Sequence, residues 1–450
     1  MAAKRHLSTL PALLALFVLL LSGQALAGTD GNTTLIESVK KAVGHHSQIK
    51  AMTFNREAVS RDLASALGRF FPSLDLTSDY GFQKYNTSSA RALGNEDRTR
   101  TASDSKATLT QNLFDGMYRI SDYYGSKARL TSAEYRLLDN VETVALDAIR
   151  AHVDVVRLRK LVTLAEENVT SHQEVLESIA ERVAGGAGSM ADEMQARGRV
   201  ARAETTLITY KGDLSSAEAQ YFRVVGNEPG PLEAIGFHEE MVPKERTPYM
   251  DVVLRENPKV KVYQAEVEAK REDKGMTGAS MMPNVDVQVS SRYTDHLDGA
   301  STYLRDDRAM LALSWNLFNG TSDFQDIKAA QARVDQAKAD LQDTMDELGR
   351  EASTTWTDYQ TALGQVGKHQ EALQYSMESR DMYLMQFNVG QRSLLDVLDA
   401  INEVFSNSVQ LETALSNRDF TIYKFLALEG NLVKTLDIAE AATEGQASEK

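Results

Sequence analysis

The 450-residue chain contains no cysteine. Disulfides, thiolate metal sites, thiol catalysis and a lipidated cysteine after a leader are all excluded. Proline is scarce. Of eight prolines, Pro229, Pro231, Pro243 and Pro248 fall in one short stretch, and none lies within 116–183 or 320–387. Unbroken helices are permitted over those two spans. Basic charge is also short, with 49 Lys plus Arg against 64 Asp plus Glu and a formal net charge of −15. Such acidity argues against nucleic acid as a partner, because phosphate binding needs Lys and Arg. After residue 27 no apolar run approaches the roughly 20 residues of a spanning helix. Contact with a bilayer must then be made by β-strands. Gly-rich phosphate loops, nucleophile elbows and His–carboxylate metal spacings are missing. No cofactor, no metal site and no enzymatic activity is expected.

Residues 1–27 read as a secretory signal peptide. Lys4, Arg5 and His6 make a basic start, Pro11–Leu21 is a continuous apolar run, and Ala25-Leu26-Ala27 gives a small-x-small cleavage site. The run is too short to span a bilayer as a helix. Removing it takes two cations and no acid, which moves the net charge from −15 to −17.

What the chain does contain is itself, twice. Leu109-Thr110-Gln111-Asn112-Leu113-Phe114-Asp115-Gly116 returns as Leu313-Ser314-Trp315-Asn316-Leu317-Phe318-Asn319-Gly320, at an offset of 204. Gly188–Ala196 returns as Arg392–Ala400 at the same offset, and Phe71–Leu76 returns as Met282–Val287 at offset 211. A period near 200 is far above that of a solenoid unit, so this is a duplicated domain. The copies are assigned to 28–228 and 249–436, with a linker at 229–248 and a polar tail at 437–450.

Each copy carries a long heptad. From Leu137 to Val183 apolar residues step four, three, four, three, with His172 as the one exception. The frame recurs from Leu341 to Phe387 with a more polar seam that includes His369. A sustained period of 3.5 gives a left-handed supercoil. Helices are expected over about 116–183 and 320–387, roughly 100 Å each at 1.5 Å per residue. Return helices are expected over about 190–225 and 394–428. His172 and His369 read as packed or solvated, because neither has a partner at metal-ligand spacing.

Before each long helix lie two runs of period two, at about 73–85 and 104–114, and at about 284–295 and 307–318. Leu74, Leu76, Tyr80 and Phe82 alternate with Asp75, Thr77, Asp79 and Gln83 in the first. Each run has about the ten residues that a tilted strand needs to cross a bilayer. A half-buried soluble sheet is the alternative for any one run. The helices, however, are committed to one another and leave little to cover an apolar sheet face. Four strands cannot close a membrane barrel, so several chains must share one. Two chains would give eight strands and three would give twelve; composition and period do not decide.

The turn Phe387-Asn388-Val389-Gly390-Gln391-Arg392-Ser393-Leu394-Leu395-Asp396-Val397-Leu398-Asp399-Ala400 resembles the second periplasmic turn of the TolC-type outer membrane channels. Val183–Ala196 looks like the first turn. Tyr221–Gly230 resembles the end of the first repeat in members serving type I protein secretion. The likeness covers about Leu35 to Leu436. It implies an α+β membrane protein: a homotrimer whose 12-stranded outer membrane β-barrel, set in outer membrane lipid, continues as a periplasmic α-helical barrel. It further implies a periplasmic adaptor and an inner-membrane ABC or RND transporter as partners. Asp396 and Asp399, three apart and on one helix face, are then the pore gate. Arg392 is the latch, and Phe387 stands where the family's best-known pattern has a tyrosine, so one hydroxyl bond is lost. At the tips, Gly185, Gly186, Gly188 and Gly390 read as turn glycines needing positive φ. With Ser189 and Ser393 they would meet the adaptor. The expected function is an exit duct for protein secretion. Drug or metal-ion efflux on the same fold, or a soluble periplasmic coiled-coil scaffold or adaptor, are the alternatives.

Overall fold

The computed structural model describes residues 32–438 apart from 93, 95, 96 and 301. The segment 1–27 read as a signal peptide and the tail after residue 438 lie outside the described residues. The first copy begins with α1 (Leu35–His45) and α2 (Ser47–Gly68). Thr34 and Glu37 form a capping box that starts α1. Strand β1 (Ser73–Lys84), the short α3 (Ser88–Ala92) and β2 (Thr99–Phe114) follow. Then come the long α4 (Tyr118–Ala184) and its return helix α5 (Met190–Val225). The second copy repeats the order with α6 (Arg246–Glu256), α7 (Pro258–Ala279), β3 (Asn284–Asp295), β4 (Tyr303–Ser314), α8 (Ser322–Asn388) and α9 (Leu394–Glu429). A short α10 (Leu432–Thr435) ends the described chain.

The duplication is stricter in three dimensions than in sequence. Helices α4 and α8 have 67 residues each. Their return helices α5 and α9 match at 36. Helices α2 and α7 match at 22, and α1 and α6 at 11. The offset is 211 up to the first strand of each hairpin and 204 after it. The change sits in the strand connections, 85–98 against 296–302. None of the seam positions from Leu137 to Val183, or from Leu341 to Phe387, is exposed.

Several expected boundaries move. Strand β2 starts at Thr99 and β4 spans 303–314 instead of 307–318. The apolar alternation does continue to Leu317, but Pro283 ends the partner strand, and β4 has nothing to pair with beyond Ser314. The long helices start slightly later than expected, at Tyr118 and Ser322, because Gly116 and Met117 have positive φ and Gly320 does too. The linker ends at Glu245, just before α6, and its Leu232 makes one parallel bridge with Thr33. Ile438, placed in the polar tail, is buried against the core around α4. His172 is buried and His369 half-buried.

The four strands form one antiparallel sheet in the order β1-β2-β3-β4. A row Leu74–Leu109–Val289–Ala309 crosses all four strands on one face. The row beside it, Asp75–Thr108–Ser290–Arg308, lies on the other. That polar face also holds Arg292 in a bidentate pair with Asp104, at 2.8 and 2.5 Å. The apolar face is bare: Leu76 is 76% exposed and Phe82 82%. Among the described residues no strand covers the outer edge of β1 or β4.

The main core sits midway along the long helices, where α1, α5, α9 and α10 pack on α4. There Glu142 of α4 is buried and accepts the backbone N–H groups of Leu432 (3.1 Å) and Val433 (3.3 Å). Burial pushes its carboxyl up to about 7 from an ordinary 4.5, against the lowering effect of those two donors. The folded chain holds this proton more tightly than the unfolded one. The stabilisation is therefore complete below pH 4.5 and is lost as pH rises through about 7. The shift corresponds to on the order of 3 kcal/mol. In thermal unfolding of the detergent-extracted protein, the wild type should lose more stability than Glu142→Gln between about pH 5 and about pH 8. Equal losses would contradict this assignment.

Candidate functional site at the helical tips

The two hairpins end side by side. Residues 185–189 join α4 to α5 and residues 389–393 join α8 to α9. Ser189 and Ser393 cap the return helices, accepting from the N–H groups of Ala191 and Asp396, each at 3.2 Å. Gly186 and Gly390 take φ of +75° and +77°, where a side chain is strained. Gly185 and Gly188 do not share this conformation, contrary to the sequence expectation. Gly185 is right-handed at φ −77°. Gly188 is held to glycine by space: a Cβ there would lie 2.8 Å from Val183 Cγ2 and 2.9 Å from Val183 N.

Beneath the turns the hairpins share an apolar cluster. Val175 and Ile179 of α4 and Ala196 of α5 meet Phe387 of α8 and Leu394, Val397, Leu398 and Ile401 of α9. Phe387 is therefore a core residue at this interface. Its ring is covered by the Arg182 guanidinium at 4.6 Å. Arg182 also donates to Asn388 Oδ1 at 3.3 Å.

Asp396 and Asp399 occupy the first turns of α9, where carboxylates are favoured. Asp396 accepts from Ser393 Oγ at 2.9 Å and lies 3.6 Å from Arg392 Nε. Arg392 thus reaches its own hairpin, and its guanidinium rests 3.8 Å from the centre of the Tyr383 ring. Asp399 is 57% exposed and accepts from Arg199 of α5 at 2.6 Å. Arg199 also faces His172 of α4, whose Nδ1 is buried without a partner. Burial, and then the Arg199 charge, hold that imidazole below its ordinary pKa and keep it neutral.

Sequence reading missed Arg182, Arg199 and Tyr383. Tyr383 was visible as a seam position one turn before Phe387. The two arginines become informative only once the hairpins dock, since their partners Asn388 and Asp399 belong to the other copy.

One other arrangement has the residue types of a nucleophile and base. Ser38 Oγ is 3.0 Å from His152 Nδ1 and 2.9 Å from Tyr221 Oη. His152 Nε2 donates to the Glu233 carbonyl at 2.8 Å, so Nδ1 accepts from Ser38. All three side chains are fully buried. The network ties α1, α4, α5 and the linker together and is closed to solvent.

The glycine geometry makes a ranking. Gly390→Ala meets open space and suffers only left-handed strain of about 1–2 kcal/mol. Gly188→Ala collides with backbone. Calorimetry should show a larger drop in melting temperature for Gly188→Ala, and the reverse order would contradict the turn description.

Residues 39–227 and 250–421 match a family model described as outer membrane efflux protein. The chain is 22% identical over 422 residues to the outer membrane efflux protein BepC of Brucella suis, covering 93% of this chain and 90% of BepC. It is 22% identical over 409 residues to the proteases secretion protein PrtF of Dickeya chrysanthemi, covering 88% of this chain and 87% of PrtF. The CmeC outer membrane channel of Campylobacter jejuni matches in structure with a TM-score of 0.80 at 14% identity, covering 91% of this chain and 89% of CmeC. That likeness speaks to the fold. The two matched segments fall on the two structural copies, and the chain belongs to the outer membrane efflux protein family.

Proposed function

We propose that three copies of this chain form an exit duct, with a shared 12-stranded barrel in the outer membrane and a helical tunnel reaching into the periplasm. The observation that carries this reading is the sheet: four strands, a bare apolar face and two open edges, joined to helices of roughly 100 Å. In hydrocarbon those edges need partners, and copies of the same chain supply them. The helices point the same way. Helix α7 packs on both α4 and α8, whereas its twin α2 packs mainly on α4. Phe54 of α2 is 64% exposed, and its counterpart in the second copy, Ala265 of α7, is buried. A neighbouring copy of α8 would cover Phe54. Three copies in place of two rests on the family likeness.

In this reading the duct is passive. An inner-membrane ABC or RND transporter supplies the energy, and a periplasmic adaptor docks on the tips around Gly185, Gly186, Gly188, Ser189, Gly390 and Ser393. Asp396 and Asp399 of three chains then line the narrow mouth, where six carboxylates attract cations. Arg392, seated on Tyr383, holds the mouth shut. Protein secretion is the favoured cargo, supported by the Tyr221–Gly230 segment and by the likeness to PrtF. Drug or metal-ion efflux is the second reading, supported by the likeness to BepC only in that BepC is an efflux protein. Secretion and drug-sensitivity assays of a deletion strain separate the two.

Planar-bilayer recording should show a cation-preferring channel. Replacing Asp396 and Asp399 with alanine should abolish most of that preference, and Arg392→Ala should raise the closed-state conductance. Unchanged ion preference would remove these carboxylates from the mouth, and no conductance at all would sink the duct.

A further inference from the structure

We infer that Arg333 of α8 forms an ion pair with Asp62 of the partner subunit, and that this pair sets the register in which α2 of one copy docks on the next. This rests on the three-copy duct described above and names a contact that joins the copies.

Inside one chain the helices below the sheet stand in the order α2, α4, α7, α8. Helix α2 packs on α4, and α7 packs on both α4 and α8. Helix α7 is the twin of α2 at an offset of 211, and α8 is the twin of α4 at 204. The seam between α4 and α7 therefore has an equivalent between α8 and α2 of the next copy. All four helices are level here. One cleft of about 580 Å³ is lined by Asn55, Arg129, Lys270 and Arg333, one from each helix. Rotation about the axis of a ring preserves that level.

Charge holds the seam inside the chain. Arg129 pairs with Asp273, and Arg136 pairs with Glu266. The two offsets turn the first pair into Arg333 with Asp62 of the partner subunit, so arginine and aspartate recur. In the single chain Arg333 and Asp62 are exposed, and neither has an ion-pair partner among the described residues. The second pair becomes Asp340 with Asn55 of the partner subunit. Here both members have changed together. The arginine has become an acid, and the facing glutamate has become an amide that can donate to it. Had only the arginine changed, two carboxylates would meet. Lys270 also donates to Asp273, at 3.3 Å, whereas its twin Val59 cannot. Asp62 is left to one arginine.

The apolar surface agrees. Ala51, Phe54 and Ala58 share one face of α2 with Asp62 and are exposed, while their twins Val262, Ala265 and Ala269 are buried on α7. The pair lies roughly 80 Å of helix from Phe387 at 1.5 Å per residue. It joins the copies in the upper wall and leaves the tips free to move.

The absence of native cysteine allows a direct test. Asp62→Cys and Arg333→Cys are made singly and together in the full chain. The detergent-extracted protein is treated with a short bis-maleimide and run on a denaturing gel. The pair should give covalent dimers and trimers, and each single cysteine should give monomers only. In parallel, Asp62→Arg and Arg333→Asp are made singly and together, and the temperature at which the multimer dissociates is read by size-exclusion chromatography. Each single reversal sets like charges face to face and should lower that temperature. The double reversal should bring it back near the unmodified value. A multimer whose cysteine pair yields no interchain product overturns the inference and leaves the duct standing. So does a double reversal no more stable than the single ones. An unmodified protein that runs as a monomer overturns both.

Discussion

Along β1 and β4, one row of backbone N–H and C=O groups on each strand faces away from the sheet. Water can satisfy them, but hydrocarbon cannot, and each unpaired group in lipid costs several kcal/mol. The face between those edges is apolar and bare, so water does not suit it either. Only a closed sheet reconciles the two demands. Duplication gives the means. Strand β2 of the first copy already pairs with β3 of the second. The same relation, carried one copy further, sets β4 against β1 of another chain. Closure of the barrel follows from this one requirement, whereas the copy number rests on the family likeness.

The helices extend the same logic below the membrane. Each copy adds one long hairpin, and every seam position of both long helices is covered. The main core lies midway, where α1, α4, α5, α9 and α10 converge. At the tips the copies stop being equivalent. Gln195 has become Asp399, Gly188 has become Arg392 and Val183 has become Phe387. The second copy carries the acids and the ring, and the first supplies Arg199 and Arg182 to hold them.

Much of this was legible in the sequence because it depends on period. The heptad and the strand alternation are local patterns, and the repeat places them in pairs. What period does not encode was missed. Helix α7 was unseen because its apolar residues serve both α4 and α8 and form no single stripe; Val260, Val262, Ala265 and Val267 are all buried. Helix α2 was unseen because it buries little, Ile49 and Ala66. The far end of β4 was misplaced because alternation outlasted its partner strand. Gly188 was assigned a left-handed backbone when its constraint is the nearness of Val183. The Arg199–Asp399 pair joins residues 200 positions apart, and only the docking of two hairpins brings them together.

The requirement at the sheet edges is open to direct measurement by amide hydrogen exchange on the detergent-extracted protein. Unpaired edge amides exchange quickly, whereas amides in a closed ladder open only with larger unfolding. The account predicts that residues 73–84 and 303–314 exchange as slowly as 99–114 and 284–295. Fast exchange along either outer strand, beside slow exchange in the central pair, would contradict a shared and closed barrel.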